Sequence, residues 1–178
     1  KVVVDDFDSA YDATTHLIKL GSKKIALLST VNNLSIGKLR FEGYKKALTD
    51  ANMPIDEELI ILETAIEDFD VRLQKLISSK KMDAVFALDE HSSTMTMRMA
   101  LKQGIKIPEE LNIIGFADGV WSRRLTPSLS TVSQHAPEIG AKAAELLIHK
   151  LNSKDEFYQP QTVVIKTELR QRESTRKL

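Results

Sequence analysis

The sequence predicts an α/β domain built on a parallel sheet, and three observations carry that prediction. Short apolar runs of strand length alternate with longer segments whose apolar residues recur every three to four positions, and the connections between them are short. The run at 111–116, L-N-I-I-G-F, is apolar on both faces, as a strand covered by helices on either side must be. A proline-marked turn precedes it, and Ala117, Asp118 and Gly119 stop it abruptly. Polar groups are thereby set just beyond the strand's carboxyl end, where open α/β sheets bind their ligands.

Taken in order, residues 2–4 read as a strand and 10–20 as a helix, with Ala13, Leu17, Ile18 and Leu20 on one face and Gly21 closing it. A second strand covers 24–29. After a polar loop, a helix over 36–51 repeats apolar residues at Ile36, Leu39, Gly43, Tyr44, Ala47, Leu48 and Ala51 until Met53-Pro54 ends it. A third strand at 59–62 leads to a helix from residue 67 that holds Phe69, Val71, Leu73, Leu76 and Ile77. The fourth strand spans 84–88 and the next helix 92–103, before the strand at 111–116. Parallel pairing with right-handed crossovers follows from these short connections. Beyond Pro127 come a strand at 129–133, a helix over 137–151, a polar loop at 152–160 and one last strand at 162–169. The basic tail, 170–178, is expected to be a solvated end.

With 178 residues and 42% hydrophobic content, the chain can bury one substantial core and part of a second lobe. Lys plus Arg equal Asp plus Glu at 25 each, so no global positive field draws these residues to nucleic acid or to an anionic membrane. The absence of cysteine excludes disulfides and thiolate metal sites. No window holds the roughly 18 apolar residues of a membrane span. The opening K-V-V-V-D-D has neither a signal-peptide core nor an initiator methionine, which suggests that the sequence begins within a fold.

Signatures of enzyme chemistry are missing: no G-x-G-x-x-G, no phosphate loop, no G-x-S-x-G elbow and no H-E-x-x-H occurs. Of the four histidines, His91 and His135 follow strand ends and are expected to face one crevice. Arg40 lies in the first turns of the helix after the second strand, where a guanidinium can fork two hydrogen bonds onto vicinal hydroxyls or a carboxylate. Asp89 and Glu90 follow the fourth strand at once, and Asp89 is either a ligand contact or a helix cap. Asp5 and Asp6 carry the same ambiguity after the first strand. The cluster Met95, Met97, Met99 and Leu101 covers more than one helix face and suits core or subunit contact. Trp121 sits in a loop after the fifth strand and suits an interface or packing beneath that loop.

Seven strings recur through nearly the whole chain: V-V-V-D-D-F-D-S-A-Y-D-A-T-T-H-L-I-K-L-G-S-K-K-I-A (2–26), R-F-E-G-Y-K-K-A-L (40–48), D-A-V-F-A-L-D-E (83–90), G-I-K-I-P-E-E-L-N-I-I-G-F-A-D (104–118), L-T-P-S-L-S-T-V-S-Q (125–134), I-G-A-K-A-A-E-L-L (139–147) and R-E-S-T (172–175). In that order and spacing the sequence resembles the sugar-sensing core of LacI/GalR-type bacterial transcriptional regulators. The resemblance implies a Rossmann-like, parallel-sheet lobe of the type I periplasmic-binding-protein fold, with a partial second lobe. Residues 1–132, with 166–178 returning, would form the carboxyl-terminal lobe. Residues 133–165 would supply the closing helix and strand of the amino-terminal lobe. The helix-turn-helix that reads operator DNA would lie outside this chain.

On the same resemblance a sugar or sugar-like effector sits between the lobes, met by Arg40, Asp89 and Gln134, with Ile36 and Thr64 also facing the cleft. No cofactor, metal or membrane is implied, and the protein is expected to be a cytoplasmic regulator rather than an enzyme. A periplasmic sugar-binding protein of a transporter is the alternative. The family's G-[FY]-D-[DN] reads here G-F-A-D, so Ala117 replaces a carboxylate that commonly binds effector hydroxyls. Losing one charge-assisted hydrogen bond weakens an ordinary hexose by about ten- to a hundredfold. Asp118 could substitute only through a shift of its loop. The resemblance therefore implies a less typical effector, an oligosaccharide or an acidic sugar gripped chiefly by Arg40. Family dimers pair through positions that fall on Thr94, Met95, Arg98, Trp121 and Leu125, which implies a homodimer.

Overall fold

The computed structural model describes every residue except Ala117, 154–158, Pro160 and Leu178. Six strands form one sheet: β2 (Ile25–Ser29), β3 (Ile60–Leu62), β4 (Ala84–Ala87), β5 (Asn112–Phe116), β6 (Ser130–Ser133) and β8 (Glu168–Arg170), in the order β3-β2-β4-β5-β6-β8. All pairs are parallel except β6 with β8. The helices α1 (Asp6–Lys19), α2 (Ser35–Asp50), α3 (Ile66–Ser79) and α4 (Glu90–Lys102) connect them, and α5 (Val120–Arg124) is one short turn in the stretch expected to be loop.

The central strands are buried on both faces, so alternate residues enter different cores. Val85 and Ile113 join Phe69, Leu73 and Met97 beneath α3 and α4. Phe86 and Ile114 turn the other way, to Ala10, Leu17, Tyr44 and Leu48 beneath α1 and α2. Each fully buried large side chain contributes about 1.5–3 kcal/mol against leaving it in water. Helix α1 begins at Asp6, earlier than apolar spacing indicates, because Asp6 and Asp8 in its first turn favour the positive end of the helix dipole without adding to the apolar face.

Close approach of α1 and α2 depends on Gly43. A Cβ there would lie 2.3 Å from the Phe7 carbonyl oxygen and 2.9 Å from the Tyr11 nitrogen. Both obstacles are backbone and cannot swing away. Gly43→Ala is expected to destabilise by about 3 kcal/mol through forced separation of the helices, read as a lower denaturant midpoint at unchanged slope. A midpoint within error of wild type would show that the pair can part at little cost.

Three expectations need correction. Strand β1 (Val2–Val4) does not join the main sheet; it pairs in parallel with β7 (Val163–Ile165) in a separate two-stranded sheet. The single last strand is in fact two, β7 and β8, divided at Lys166 and Thr167, so the chain crosses between sheets there. Asp5 fastens the two crossings together: its Oδ1 accepts the Thr167 N–H at 2.9 Å and its Oδ2 lies 3.1 Å from Lys166 Nζ. Nor is the tail a solvated end. Ser174 is 0% exposed; its hydroxyl donates to the Ile113 carbonyl at 2.6 Å and accepts the Ser130 N–H at 2.8 Å. Charge counting misses this because the buried residues of the tail are small hydroxyls that satisfy strand-edge backbone groups.

Helix α6 (Ala136–Asn152) has no buried residue, and Leu147, Ile148 and Leu151 stand exposed on it. Of the loop expected at 152–160, Asn152 is the last residue of α6, and 154–158 and Pro160 lie outside the described residues.

Candidate functional site

The carboxyl ends of β2, β4, β5 and β6 meet along one edge of the sheet, and the residues anticipated for a ligand gather there. What each side chain does differs from the expectation. Arg40, one turn inside α2, is 3% exposed. Its Nε donates to Asp6 Oδ1 at 2.8 Å, its Nη1 donates to the Leu88 carbonyl at 2.6 Å, and its Cζ stands 3.5 Å from the centroid of the Phe116 ring. Burial raises the Asp6 carboxyl above its usual range against the pull of Arg40, and burial likewise lowers Arg40. The guanidinium therefore already serves the protein's interior and is not a free fork.

Asp89 resolves toward the helix cap. Its Oδ1 accepts the Ser92 N–H at 2.8 Å in a capping box, and its Oδ2 accepts the Thr30 N–H at 2.8 Å, tying the β2 loop to α4. Asp118 is likewise committed. Its carboxylate pairs with Arg170 and with Arg172 at 2.6 Å, and accepts hydrogen bonds from Thr131 at 3.0 Å and Ser122 at 3.1 Å. It thus fastens α5, β6, β8 and the tail together rather than replacing the missing carboxylate; Ala117 itself lies outside the described residues. Both arginine partners escape sequence reasoning because mixed charge marks the tail as a solvated end; the R-E-S-T string is the available signal.

These bonds outweigh desolvation and hold the Asp118 carboxyl at about 2, below the ordinary 3.8. A lowered folded pKa means the unfolded chain takes up the proton first, so stability is full above pH 3.8 and is lost as pH falls toward 2. Acid titration of unfolding is expected to show this residue losing about 2 kcal/mol over that window. An Asp118→Asn protein whose stability falls as steeply there as wild type would contradict it.

Ile36 is half-buried in the first turn of α2, and Thr64 is exposed in the loop between β3 and α3; both lie at the sheet's carboxyl edge. Gln134 lines a cavity of about 530 Å³ with Glu90, Asp118, Arg123, His135 and Glu138. His135 belongs to this cavity, but His91 does not: its Nε2 sits 3.5 Å from Asp70 Oδ1 and its ring meets the edge of Phe69, turned toward α3.

The anticipated interface residues lie outward on α4, on α5 and just beyond. Trp121 is 63% exposed beside exposed Val120, Arg98 is exposed, and Thr94, Met95 and Leu125 are half-buried. The methionine cluster divides, with Met97 at 0% exposure in the core and Met95 and Met99 packed at its margin.

A model of the periplasmic binding protein-like domain matches residues 14–175. The transcriptional repressor PurR of Actinobacillus pleuropneumoniae is 30% identical over 185 residues, covering 100% of this chain and 54% of that protein. Among solved structures, a LacI-family regulator from Enterococcus faecium with bound ribose superposes with a TM-score of 0.89 at 26% identity, covering 99% of this chain and 66% of the other. The transcriptional regulator CelR in complex with cellobiose gives 0.87 at 26% identity, covering 97% and 53%. The chain spans about half the length of the curated relatives it matches, and those relatives are regulators rather than enzymes. By the family match over nearly its whole length, this chain belongs to the periplasmic binding protein-like domain family, and the relatives it matches are transcriptional regulators.

Proposed function

We propose that the chain is the effector-sensing core of a cytoplasmic LacI-type transcriptional regulator, in which a sugar or sugar-like molecule bound at the carboxyl edge of the six-stranded sheet controls operator binding elsewhere in the protein. The observation that carries this reading is the cavity at the carboxyl edge of the sheet, lined by Gln134, Glu90 and Asp118, beside the two crossings between β1 and α1 and between β7 and β8. In that arrangement the six-stranded sheet is one lobe, and β1, α6 and β7 belong to the other, whose remaining strands would cover the exposed apolar face of α6. Ligand closing the lobes shifts the population between two arrangements and so changes the spacing of DNA-reading heads. The test uses the full-length protein: genomic fragments retained at fixed salt are selected, and ribose, cellobiose and related sugars are added. Release or tighter retention by at least one sugar is expected, and abolished by Arg40→Met. Indifference of retention to every sugar, or failure to retain any fragment above non-specific levels, would refute the reading.

Homodimerisation belongs to the same proposal. Trp121 and Val120 stand exposed on α5, and Arg98 stands exposed on α4; large apolar side chains of this kind are buried at the centre of an interface. Trp121→Asp is expected to convert the protein to monomers at micromolar concentration in sedimentation; unchanged dimer mass would reject this surface.

A further inference from the structure

We infer that the chain carries a second small-molecule site, at the amino edge of the six-stranded sheet, that takes an apolar α-amino acid whose side chain is no larger than a phenyl ring. The site is a cavity of about 150 Å³ lined by Ile77, Lys80, Met82, Ile105, Glu110 and Leu111. Met82 precedes β4 and Leu111 precedes β5, so this cavity opens at the end of the sheet opposite the one that holds Gln134. The inference therefore stands independently of the effector reading above.

Floor and rim together select the ligand. Ile77, Met82 and Leu111 are buried members of the core beneath α3 and α4, and Ile105 packs at its margin, so the floor is apolar. An apolar cavity of about this volume stays dry and takes a benzene-sized group. The rim carries opposite charges, Lys80 from the end of α3 and Glu110 from the turn before β5. Among the described residues neither is in an ion pair, with the other or with a third group; the Glu110 carboxylate accepts only the Lys106 N–H, at 2.9 Å on Oε2. A molecule with a carboxylate and an ammonium on one carbon, beside an apolar side chain, meets all three parts at once. Its carboxylate pairs with Lys80, its ammonium with Glu110, and its side chain fills the floor. A simple carboxylic acid or amine would satisfy one charge and leave the other in place.

The space is held open by the backbone around it. Lys80 ends α3 in the left-handed conformation at φ 51°, with its N–H on the Ile77 carbonyl at 3.1 Å. Gln103 Nε2 donates to Ser78 Oγ at 2.9 Å and joins the ends of α3 and α4. Gly104, at φ 71°, then turns the chain so that the Ile105 N–H reaches the Ala100 carbonyl at 3.1 Å. Walls fixed in this way forfeit packing contacts that a ligand restores.

Leucine and phenylalanine are the probes, added to the full-length protein and followed by calorimetry and by the methyl resonances of Met82 and Ile105. Both are expected to bind with dissociation constants of about 1 mM or below and to shift those two methyls. Glycine lacks the side chain, and isocaproate and isoamylamine each lack one charge; all three are expected to bind at least about fivefold more weakly than leucine. Lys80→Gln and Glu110→Gln, at exposed positions, are each expected to weaken leucine at least about fivefold while the free protein melts within a degree or so of wild type. Ile105→Phe, which fills the floor, is expected to abolish the response. No response to leucine or phenylalanine up to about 10 mM would overturn the proposal. So would leucine binding that leaves the Met82 and Ile105 methyls unmoved, equal binding of leucine and isocaproate, or a leucine response unchanged in both rim variants.

Discussion

Asp118→Ala is expected to lower unfolding free energy by about 3 kcal/mol and the melting temperature by about 10 °C, with the loss concentrated at β8 and the tail. The carboxylate is 4% exposed and receives four donors: Arg170, Arg172, Thr131 and Ser122. Removing it leaves Arg172, itself only 16% exposed at the side chain, without its carboxylate, and breaking one side of a buried pair costs more than the pair contributes. Arg170 is 36% exposed and finds Glu168 and water, which is why the expected loss stays at the lower end of that range. The loss should be local before it is global. Amide exchange at residues 168–176 is expected to accelerate well beyond that of β2 and β4, because the backbone bonds of Ser174 to Ile113 and Ser128 depend on the tail staying seated. Uniform acceleration across all strands would mean that Asp118 supports the fold as a whole rather than the returning segment.

The fold was legible because its signals are local. Unbroken apolar runs at 25–28, 84–88 and 113–116 can only be doubly covered strands, and the apolar spacing of Phe69, Leu73, Leu76 and Ile77 defines the inward face of α3. The departure of β1 from the main sheet was not legible from periodicity, since three valines read alike in either sheet. The site was less legible than the fold for a related reason. Sequence spacing placed Arg40, Asp89 and Asp118, and the family resemblance Gln134, at the carboxyl edge of the sheet, but neither says who else will claim a side chain. Asp89 is claimed by Ser92, three residues ahead, and by Thr30, fifty-nine positions back; Asp118 is claimed by arginines more than fifty positions away. The first of these was foreseeable as a helix cap, whereas the long-range partners required the fold itself.

Arg40→Met is expected to destabilise the protein by about 4 kcal/mol, and adding Asp6→Leu to recover most of that loss. The single substitution leaves the Asp6 carboxylate, 4% exposed, without its guanidinium, where burial already raises its pKa, so it is forced to take up a proton or to open the structure around it. The double substitution removes both charges. What remains unpaid is the Leu88 carbonyl, which loses the Nη1 donor and costs about 1 kcal/mol, while a methionine thioether keeps favourable contact with the Phe116 ring. A double-mutant cycle in denaturant should therefore give a coupling energy of about 3 kcal/mol. Additive losses would show that the two residues do not act as a pair. Ligand response supplies the second half of the test: the double variant is expected to regain stability without regaining any sensitivity to sugar, because the recovered energy comes from removing a buried charge and the lost function comes from removing a donor. Recovery of both together would mean that Arg40 supports the cleft only through packing, and that another side chain at this edge, such as Gln134, meets the effector.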